Sequence, residues 1–143
     1  MKFVILGSGA RENIIVKKLK ENNHNSVYCI SDFINPQIEE IVDVYYRLAI
    51  LDCETIINTV TTIYHIDPLD EIIVIPGGEK FLEMGIVDTL EKLNIPSIGP
   101  LQEMAMIETS KKFCRNYLNY NHLKKYVSNI MNVIDDSKCF YIT

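Results

Sequence analysis

The chain has 143 residues, of which 48% are apolar and 23% are charged, and its net charge is −5. This length fits one domain with an ample core and leaves little room for a second. The negative charge argues against nucleic-acid binding, because phosphate contacts require a basic surface. The apolar run at residues 2–6 is too short for a signal peptide or a membrane span, so we expect a soluble, cytoplasmic protein.

The first predicted elements form a βαβ unit. Residues 2–6 are a short apolar run that ends at a glycine turn, which is typical of a strand buried on both faces. From Arg11 to Glu21 apolar residues recur at helical spacing with lysines opposite. Residues 26–30 then predict a second strand. The order strand, glycine turn, helix, strand is the repeating unit of a parallel sheet.

The middle of the chain predicts a peripheral strand, a helix and a buried strand. Residues 32–37 predict a loop, and residues 41–48 predict the peripheral strand. Asp52 is a suitable N-cap for the helix, which should end near residues 67–68 because a proline disfavours helical backbone before it. Residues 71–75 form the clearest buried strand in the sequence and are followed by a glycine turn.

The last predicted elements complete the alternation of strands and helices. Residues 82–93 predict a helix, residues 96–100 a short strand and turn, and residues 102–118 a helical segment broken near Glu108. Residues 122–143 predict strand, short helix and strand. Four alternations of strand and helix predict an α/β protein with a doubly wound parallel sheet and right-handed crossovers.

The glycine turn after the first strand is the first candidate site. Gly7 and Gly9 allow a tight turn, and the free amides at the start of the next helix favour an anion such as phosphate. Any doubly wound fold needs such a turn, so this motif alone is weak evidence. A dinucleotide site is an alternative, since Asp32 ends the second strand where a ribose-binding acid belongs. Glu12 argues against it, because its bulk and charge would crowd a pyrophosphate.

Two further segments contain residues that are suited to binding a ligand. Gly77, Gly78 and Glu79 follow the strongest strand, at the edge of the sheet where ligands of open α/β folds collect. A carboxylate there can accept hydrogen bonds from two ribose hydroxyls, or it can simply be an exposed helix start. Thr109 or Ser110 can cap a helix with Lys111 in its first turn. A cation there opposes the helix dipole and suggests a phosphate ligand, although solvent would tolerate it at little cost.

The four cysteines predict no metal site. They are far apart, none lies in a C-x-x-C pair, and no histidine is spaced to complete a zinc site. Free thiols in a reducing compartment are the simplest interpretation. The cysteines are Cys29, Cys53, Cys114 and Cys139.

Taken together, these segments resemble the phosphoribosylamine–glycine ligases. The family's G-S-G-G-R-E-H segment is matched by residues 7–13, and its G-P-E and G-I-V-D segments by residues 77–79 and 85–88. A G-I-P…G-P turn is matched by residues 94–100, and an E-G-S-K segment by residues 108–111. One such motif is weak evidence, whereas four in the same order and spacing, with G-P-E and G-I-V-D counted together, are strong evidence.

The resemblance extends from Met1 to about Leu118 and implies a domain organisation. In this family a Rossmann-like domain precedes an ATP-grasp domain. Residues 1–120 would form the Rossmann-like pre-ATP-grasp domain, and residues 121–143 would begin an incomplete ATP-grasp region. We expect an excised domain, a truncated product or a split subunit whose ATP-grasp part is supplied in cis or by a partner chain.

The resemblance also implies an activity and a set of binding residues. Family members use ATP to join glycine to 5-phosphoribosylamine through a glycyl phosphate, giving glycinamide ribonucleotide for purine biosynthesis. ATP and Mg²⁺ would be bound mainly by the ATP-grasp part, so this chain alone should lack ligase activity and holds no catalytic residue or metal ligand. The implied substrate-binding residues are Gly7, Ser8, Gly9, Arg11, Glu12, Gly77, Gly78 and Glu79, and Lys111 is the implied contact to ATP.

Departures from the family pattern keep a second interpretation open. Ala10, Asn13 and Gly78 stand where the family has glycine, histidine and proline. A standalone module that binds a sugar phosphate or nucleotide without catalysis would tolerate such changes. A fragment of an NAD-binding oxidoreductase is the third interpretation, and binding of nicotinamide dinucleotides is the observation that it requires.

Overall fold

The computed structural model describes residues 1–49, 51–66 and 69–120. Residues Met1–Ala105 form one compact unit, and residues 106–120 belong to a second unit. The predicted end of the third helix at residues 67–68 and the predicted elements at 122–143 lie outside the described residues. The proposed domain beginning at residue 121 lies outside them as well.

The first unit is built on a four-stranded parallel sheet with the order β3-β2-β1-β4. Its central strands carry continuous apolar runs because both faces are covered. The predicted α/β fold with a doubly wound parallel sheet is therefore confirmed, including the peripheral position of β3. The strands are β1 Lys2–Leu6, β2 Ser26–Ser31, β3 Val44–Arg47 and β4 Ile72–Pro76.

Helices connect the strands and cover both faces of the sheet. Asp52 accepts a hydrogen bond from the Thr55 N–H at 2.8 Å, so it caps α3 as predicted. None of the described helices combines the length and the apolar character that a membrane span requires. The helices are α1 Ala10–Lys20, α2 Pro36–Glu39, α3 Cys53–Ile66, α4 Glu79–Glu83, α5 Ile86–Lys92, α6 Gln102–Thr109 and α7 Lys111–Tyr120.

Alternate residues of each strand point to different halves of the core. On β1, Val4 and Leu6 pack with the buried side chains of α3 and α5. Ile5 points to the opposite face and packs with Val16 of α1 and Ile38 of α2. Packing on both faces thus holds the sheet in place, and this fixes the positions of the turns that follow its strands.

The structure corrects three predictions of secondary structure. Residues 82–93 form parts of two helices, because Gly85 adopts the left-handed conformation (φ +69°) between α4 and α5. The predicted loop at residues 32–37 contains the start of α2, whose N-cap is Asn35. The predicted strand at residues 96–100 is reduced to a single bridge between Ser97 and Val74. The predicted break in the last helical segment is confirmed, since α6 ends before α7 begins.

Candidate functional site

The turn after β1 is held by backbone and thiol hydrogen bonds. Gly7 has a φ of +106°, which favours glycine because a side chain would be strained there. Its N–H donates to the carbonyl of Ile30 at 2.9 Å, and its carbonyl accepts from the Cys29 thiol at 3.3 Å. Burial raises the pKa of Cys29 to about 11, so the thiol keeps its proton and remains a donor. The turn is therefore fixed against β2.

Ser8 links the first turn to the end of β2. Its side chain is buried, and its hydroxyl lies 2.8 Å from the hydroxyl of Ser31. The Ser8 carbonyl accepts a hydrogen bond from the Asn35 side chain at 2.8 Å. Since these contacts occupy polar groups of Ser8 within the protein, Ser8 shapes the turn in addition to any contact with a ligand.

Glu12 lies between the two glycine turns. It is the third residue of α1, and its carboxylate accepts a hydrogen bond from the Gly9 N–H at 2.7 Å, which caps the helix. Only 6% of Glu12 is exposed. The carboxylate and Cγ also fill the space beside Gly77 where a side chain at that position would lie. Glu12 therefore holds the start of α1 against the second turn.

The second turn, after β4, is bonded to the first strand and the first helix. The Gly77 N–H donates to the Leu6 carbonyl at 2.8 Å, and the Gly77 carbonyl accepts from the Arg11 guanidinium at 3.3 Å. The two turns therefore lie side by side at the carboxyl edge of the sheet, as the parallel topology predicts. Arg11 itself is exposed.

A cleft of about 270 Å³ opens between these turns. Five of the predicted substrate-binding residues line it, namely Gly7, Ser8, Gly9, Glu12 and Gly78. The predicted residues Arg11, Gly77 and Glu79 do not line it, although Glu79 is exposed and lies between two lining residues. The other lining residues are Ser31, Asp32, Phe33, Leu51, Lys80 and Phe81.

Lys80 is a cleft residue that sequence analysis missed. Its ammonium lies 3.7 Å from the Asp32 carboxylate, so an ion pair joins the start of α4 to the residue that follows β2. The side chains of Lys80 and Asp32 are 55% and 45% exposed, and a pair this exposed stabilises a fold by about 0–1 kcal/mol. A lysine in the first turn of a helix was the available signal, because that position disfavours a cation without an anion nearby.

Two departures from the family pattern fall on α1. Ala10 is exposed, whereas Asn13 is buried beneath α2. The Asn13 amide donates to the Gln37 side chain at 2.5 Å, and its Oδ1 is buried without a hydrogen-bond partner in the described part of the chain. Asn13 therefore contributes to the contact between α1 and α2, and it does not line the cleft.

Lys111 belongs to the second unit. It is exposed and is the first residue of α7, whose start is capped by Ser110 accepting from the Phe113 N–H at 3.3 Å. Within residues 1–49, 51–66 and 69–120, no group of three or more metal-binding side chains lies close enough together to hold a metal ion.

The parallel sheet and the cleft between its glycine turns define an α/β domain of the kind that binds ligands at the carboxyl edge of its strands. Residues 1–108 match the family described as phosphoribosylglycinamide synthetase, N domain. The chain belongs to this family.

Curated relatives named phosphoribosylamine–glycine ligase support this membership. The protein of Methanocorpusculum labreanum is 34% identical over 119 residues, which are 83% of this chain and 26% of that protein. The protein of Methanosphaera stadtmanae is 37% identical over 115 residues, 80% of this chain and 24% of that protein. The protein of Methanococcus vannielii is 34% identical and covers 95% of this chain and 31% of that protein. The chain thus spans about a quarter to a third of these relatives.

Solved structures with low sequence identity share the fold. N5-carboxyaminoimidazole ribonucleotide synthetase from Thermotoga maritima matches 85% of this chain and 31% of its own, with a TM-score of 0.59 and 18% identity. The biotin carboxylase domain of a thermophilic 2-oxoglutarate carboxylase matches 83% of this chain and 27% of its own, with a TM-score of 0.62 and 16% identity. At these identities the likeness concerns the fold alone.

Proposed function

We propose that this chain is the substrate-binding N-terminal part of an ATP-dependent phosphoribosylamine–glycine ligase, and that the cleft between the glycine turns binds the phosphoribosyl group of its substrate. The substrate would be 5-phosphoribosylamine, and the product glycinamide ribonucleotide. The observation that carries the proposal is the convergence of residues 7–9 and Gly78 on one cleft at the carboxyl edge of the sheet.

The chemistry of the cleft supports a sugar phosphate. Gly9 precedes α1, whose first amides have no acceptor within the helix and are suited to an anion. Phe33, Leu51 and Phe81 supply apolar walls, which lower the local dielectric constant and strengthen polar contacts. The volume of about 270 Å³ lies just below the usual range of pockets for larger ligands, so a pentose phosphate fits it better than a dinucleotide.

Two larger grooves are less suited to this ligand. Their volumes are about 480 and 500 Å³, and both are lined by Asn94 and Pro96, away from the glycine turns. The charged residues among their described linings are Glu91 in one groove and Asp70 and Glu71 in the other. Asp70 already pairs with the N-terminal ammonium at 3.8 Å, and the described linings of both grooves include no lysine or arginine. Acids therefore predominate in the two grooves and repel a phosphate, so we assign the ligand to the smaller cleft.

The proposal divides the work between this chain and an ATP-grasp region supplied in cis or in trans. The cleft residues of this chain would bind and orient the phosphoribosyl substrate. ATP and Mg²⁺ would be held mainly by the ATP-grasp region and would supply the phosphoryl group that activates glycine. Lys111, exposed at the start of α7, would contact the nucleotide.

Calorimetry with ribose 5-phosphate tests the assigned site. We expect the 143-residue chain to bind this ligand. Arg11→Ala should weaken binding by about tenfold, because it removes the hydrogen bond by which the guanidinium holds the Gly77 carbonyl and thus the second turn. Glu79→Ala should weaken binding by a similar factor if its carboxylate holds the ribose hydroxyls. Arg11→Lys keeps the charge but loses the planar fork, so its affinity should lie between those of Arg11→Ala and the unchanged chain.

Glu91→Ala is the matched control for Glu79→Ala. Glu91 is also an exposed helical glutamate, but it lies on α5 and outside the cleft. Its replacement should leave the affinity for ribose 5-phosphate unchanged. Failure of the unmodified chain to bind ribose 5-phosphate or glycinamide ribonucleotide would contradict the proposed function.

A further inference from the structure

Two opposite charges from different parts of the chain line the cleft. Lys80 follows the turn after β4, and Asp32 follows β2. Both line the cleft, and 3.7 Å separates the Lys80 ammonium from the Asp32 carboxylate. The pair is therefore part of the cleft wall and is partly exposed to solvent.

Lys80 is the cation of the cleft lining that could bind an anionic ligand. Of the residues that line it, all within the described part of the chain, Lys80 alone is positively charged. The nearby guanidinium of Arg11 donates to the Gly77 carbonyl and is not part of the lining. The second acid of the cleft, Glu12, is buried and accepts from the Gly9 N–H. Asp32 is therefore the acid that competes for Lys80.

The ion pair is suited to opening when an anion arrives. About half of each side chain is exposed, and an ion pair that is this exposed contributes little to folding. A phosphate monoester carries up to two negative charges and three acceptor oxygens, so it attracts an ammonium more strongly than one carboxylate does. Lysine also has a long, flexible side chain that can follow the ligand.

We propose that Lys80 binds the phosphate group of the cleft's ligand, a pentose phosphomonoester, and that Asp32 holds Lys80 at the cleft until the ligand displaces it. This inference rests on the proposed function and adds the residue that recognises the phosphate. Under this inference, Lys80 and Asp32 have opposite effects on the affinity for the phosphate-containing ligand. Lys80 attracts the phosphate, whereas Asp32 lowers the affinity by occupying Lys80 and by repelling the phosphate.

Calorimetry of the 143-residue chain with ribose 5-phosphate, inorganic phosphate and ribose tests this inference. Lys80→Met should weaken binding of both phosphate-containing ligands at least tenfold, and it should leave any binding of ribose unchanged. Lys80→Arg, which keeps the charge, should retain most of the affinity. Asp32→Asn should strengthen binding of ribose 5-phosphate about threefold or more. Lys92→Met, on an exposed lysine at the end of α5, is the control and should have no effect.

The possible outcomes separate this inference from the proposed function. If the unmodified chain binds ribose 5-phosphate but Lys80→Met binds it equally well, the role of Lys80 is wrong and the proposed function stands. A loss of affinity in Asp32→Asn would likewise overturn the competition between Asp32 and phosphate. If the unmodified chain binds neither ribose 5-phosphate nor glycinamide ribonucleotide, the proposed function falls and this inference falls with it. Circular dichroism of each variant checks that the fold is retained.

Discussion

Replacing Gly77 by alanine is expected to lower the free energy of unfolding by about 2–4 kcal/mol. Gly77 is buried, and a methyl group there would overlap the carboxylate and Cγ of Glu12. To make room, Glu12 would have to move and release the Gly9 N–H that it caps at 2.7 Å. The cost therefore combines overpacking with the loss of a helix cap. Urea unfolding followed by circular dichroism measures it.

The neighbouring glycine provides a matched control. A methyl group on Gly78 would meet the Phe81 ring at 3.9 Å, an ordinary van der Waals distance, and Gly78 has an extended backbone that any residue adopts. Gly78→Ala should therefore change the free energy of unfolding by less than about 1 kcal/mol. Equal effects of Gly77→Ala and Gly78→Ala would show that Glu12 does not fill the space beside Gly77.

A double-mutant cycle isolates the contact between Gly77 and Glu12. In a Glu12→Ala background the overlapping carboxylate is gone, so Gly77→Ala should cost much less than it does in the unmodified chain. Glu12→Ala alone should cost about 0.5–2 kcal/mol through the lost cap. Additive effects of the two substitutions would contradict direct contact between the two positions.

Lys2→Ala is expected to lower the free energy of unfolding by about 3 kcal/mol, from lost packing and from hydrogen bonds of a charged group. Only 1% of Lys2 is exposed. Its ammonium donates to the carbonyls of Ile63 at 3.2 Å and Tyr64 at 3.3 Å, in the last turn of α3. A cation at that end of a helix also interacts favourably with the helix dipole.

Lys2→Met separates the packing of Lys2 from its charge. Methionine fills much of the space of the lysine stem but cannot donate a hydrogen bond, so this substitution should cost less, about 1–2 kcal/mol. Lys92→Ala, on an exposed lysine, is the control and should stay within about 0.5 kcal/mol of the unmodified chain. If Lys2→Ala were as stable as Lys92→Ala, Lys2 would not be holding β1 to α3. Urea unfolding of the three variants gives the comparison.

The parallel sheet could be predicted because its buried strands have a recognisable local sequence pattern. Residues 2–6 and 71–75 are apolar runs that end at glycine turns, and buried parallel strands have this composition. The position of the cleft followed from the same pattern, since turns after parallel strands meet at one edge. The capping role of Glu12 was not predicted, although an acid three residues after the N-cap is a known helix signature.

Other features depend on contacts that a local pattern does not contain. The hydrogen bonds of Lys2 cannot be predicted from its local sequence, because the carbonyls that accept them belong to residues about sixty positions later. Gly85 splits a helical pattern that would tolerate a glycine, since its left-handed conformation depends on how α5 packs. The short helix α2 did have a signature, an asparagine N-cap followed by Pro36, which we interpreted as a loop. The pairing of Lys80 with Asp32 could not be predicted without knowing the order of the strands in the sheet.

Backbone amide shifts during titration with ribose 5-phosphate test the central claim most directly. The claim is that the two glycine turns form one sugar-phosphate site. It predicts that the largest shifts in an ¹⁵N spectrum fall on the amides of residues 7–9 and 78–80. Shifts concentrated around residues 94–97, which line the two larger grooves, or the absence of any shift at millimolar ligand, would contradict it.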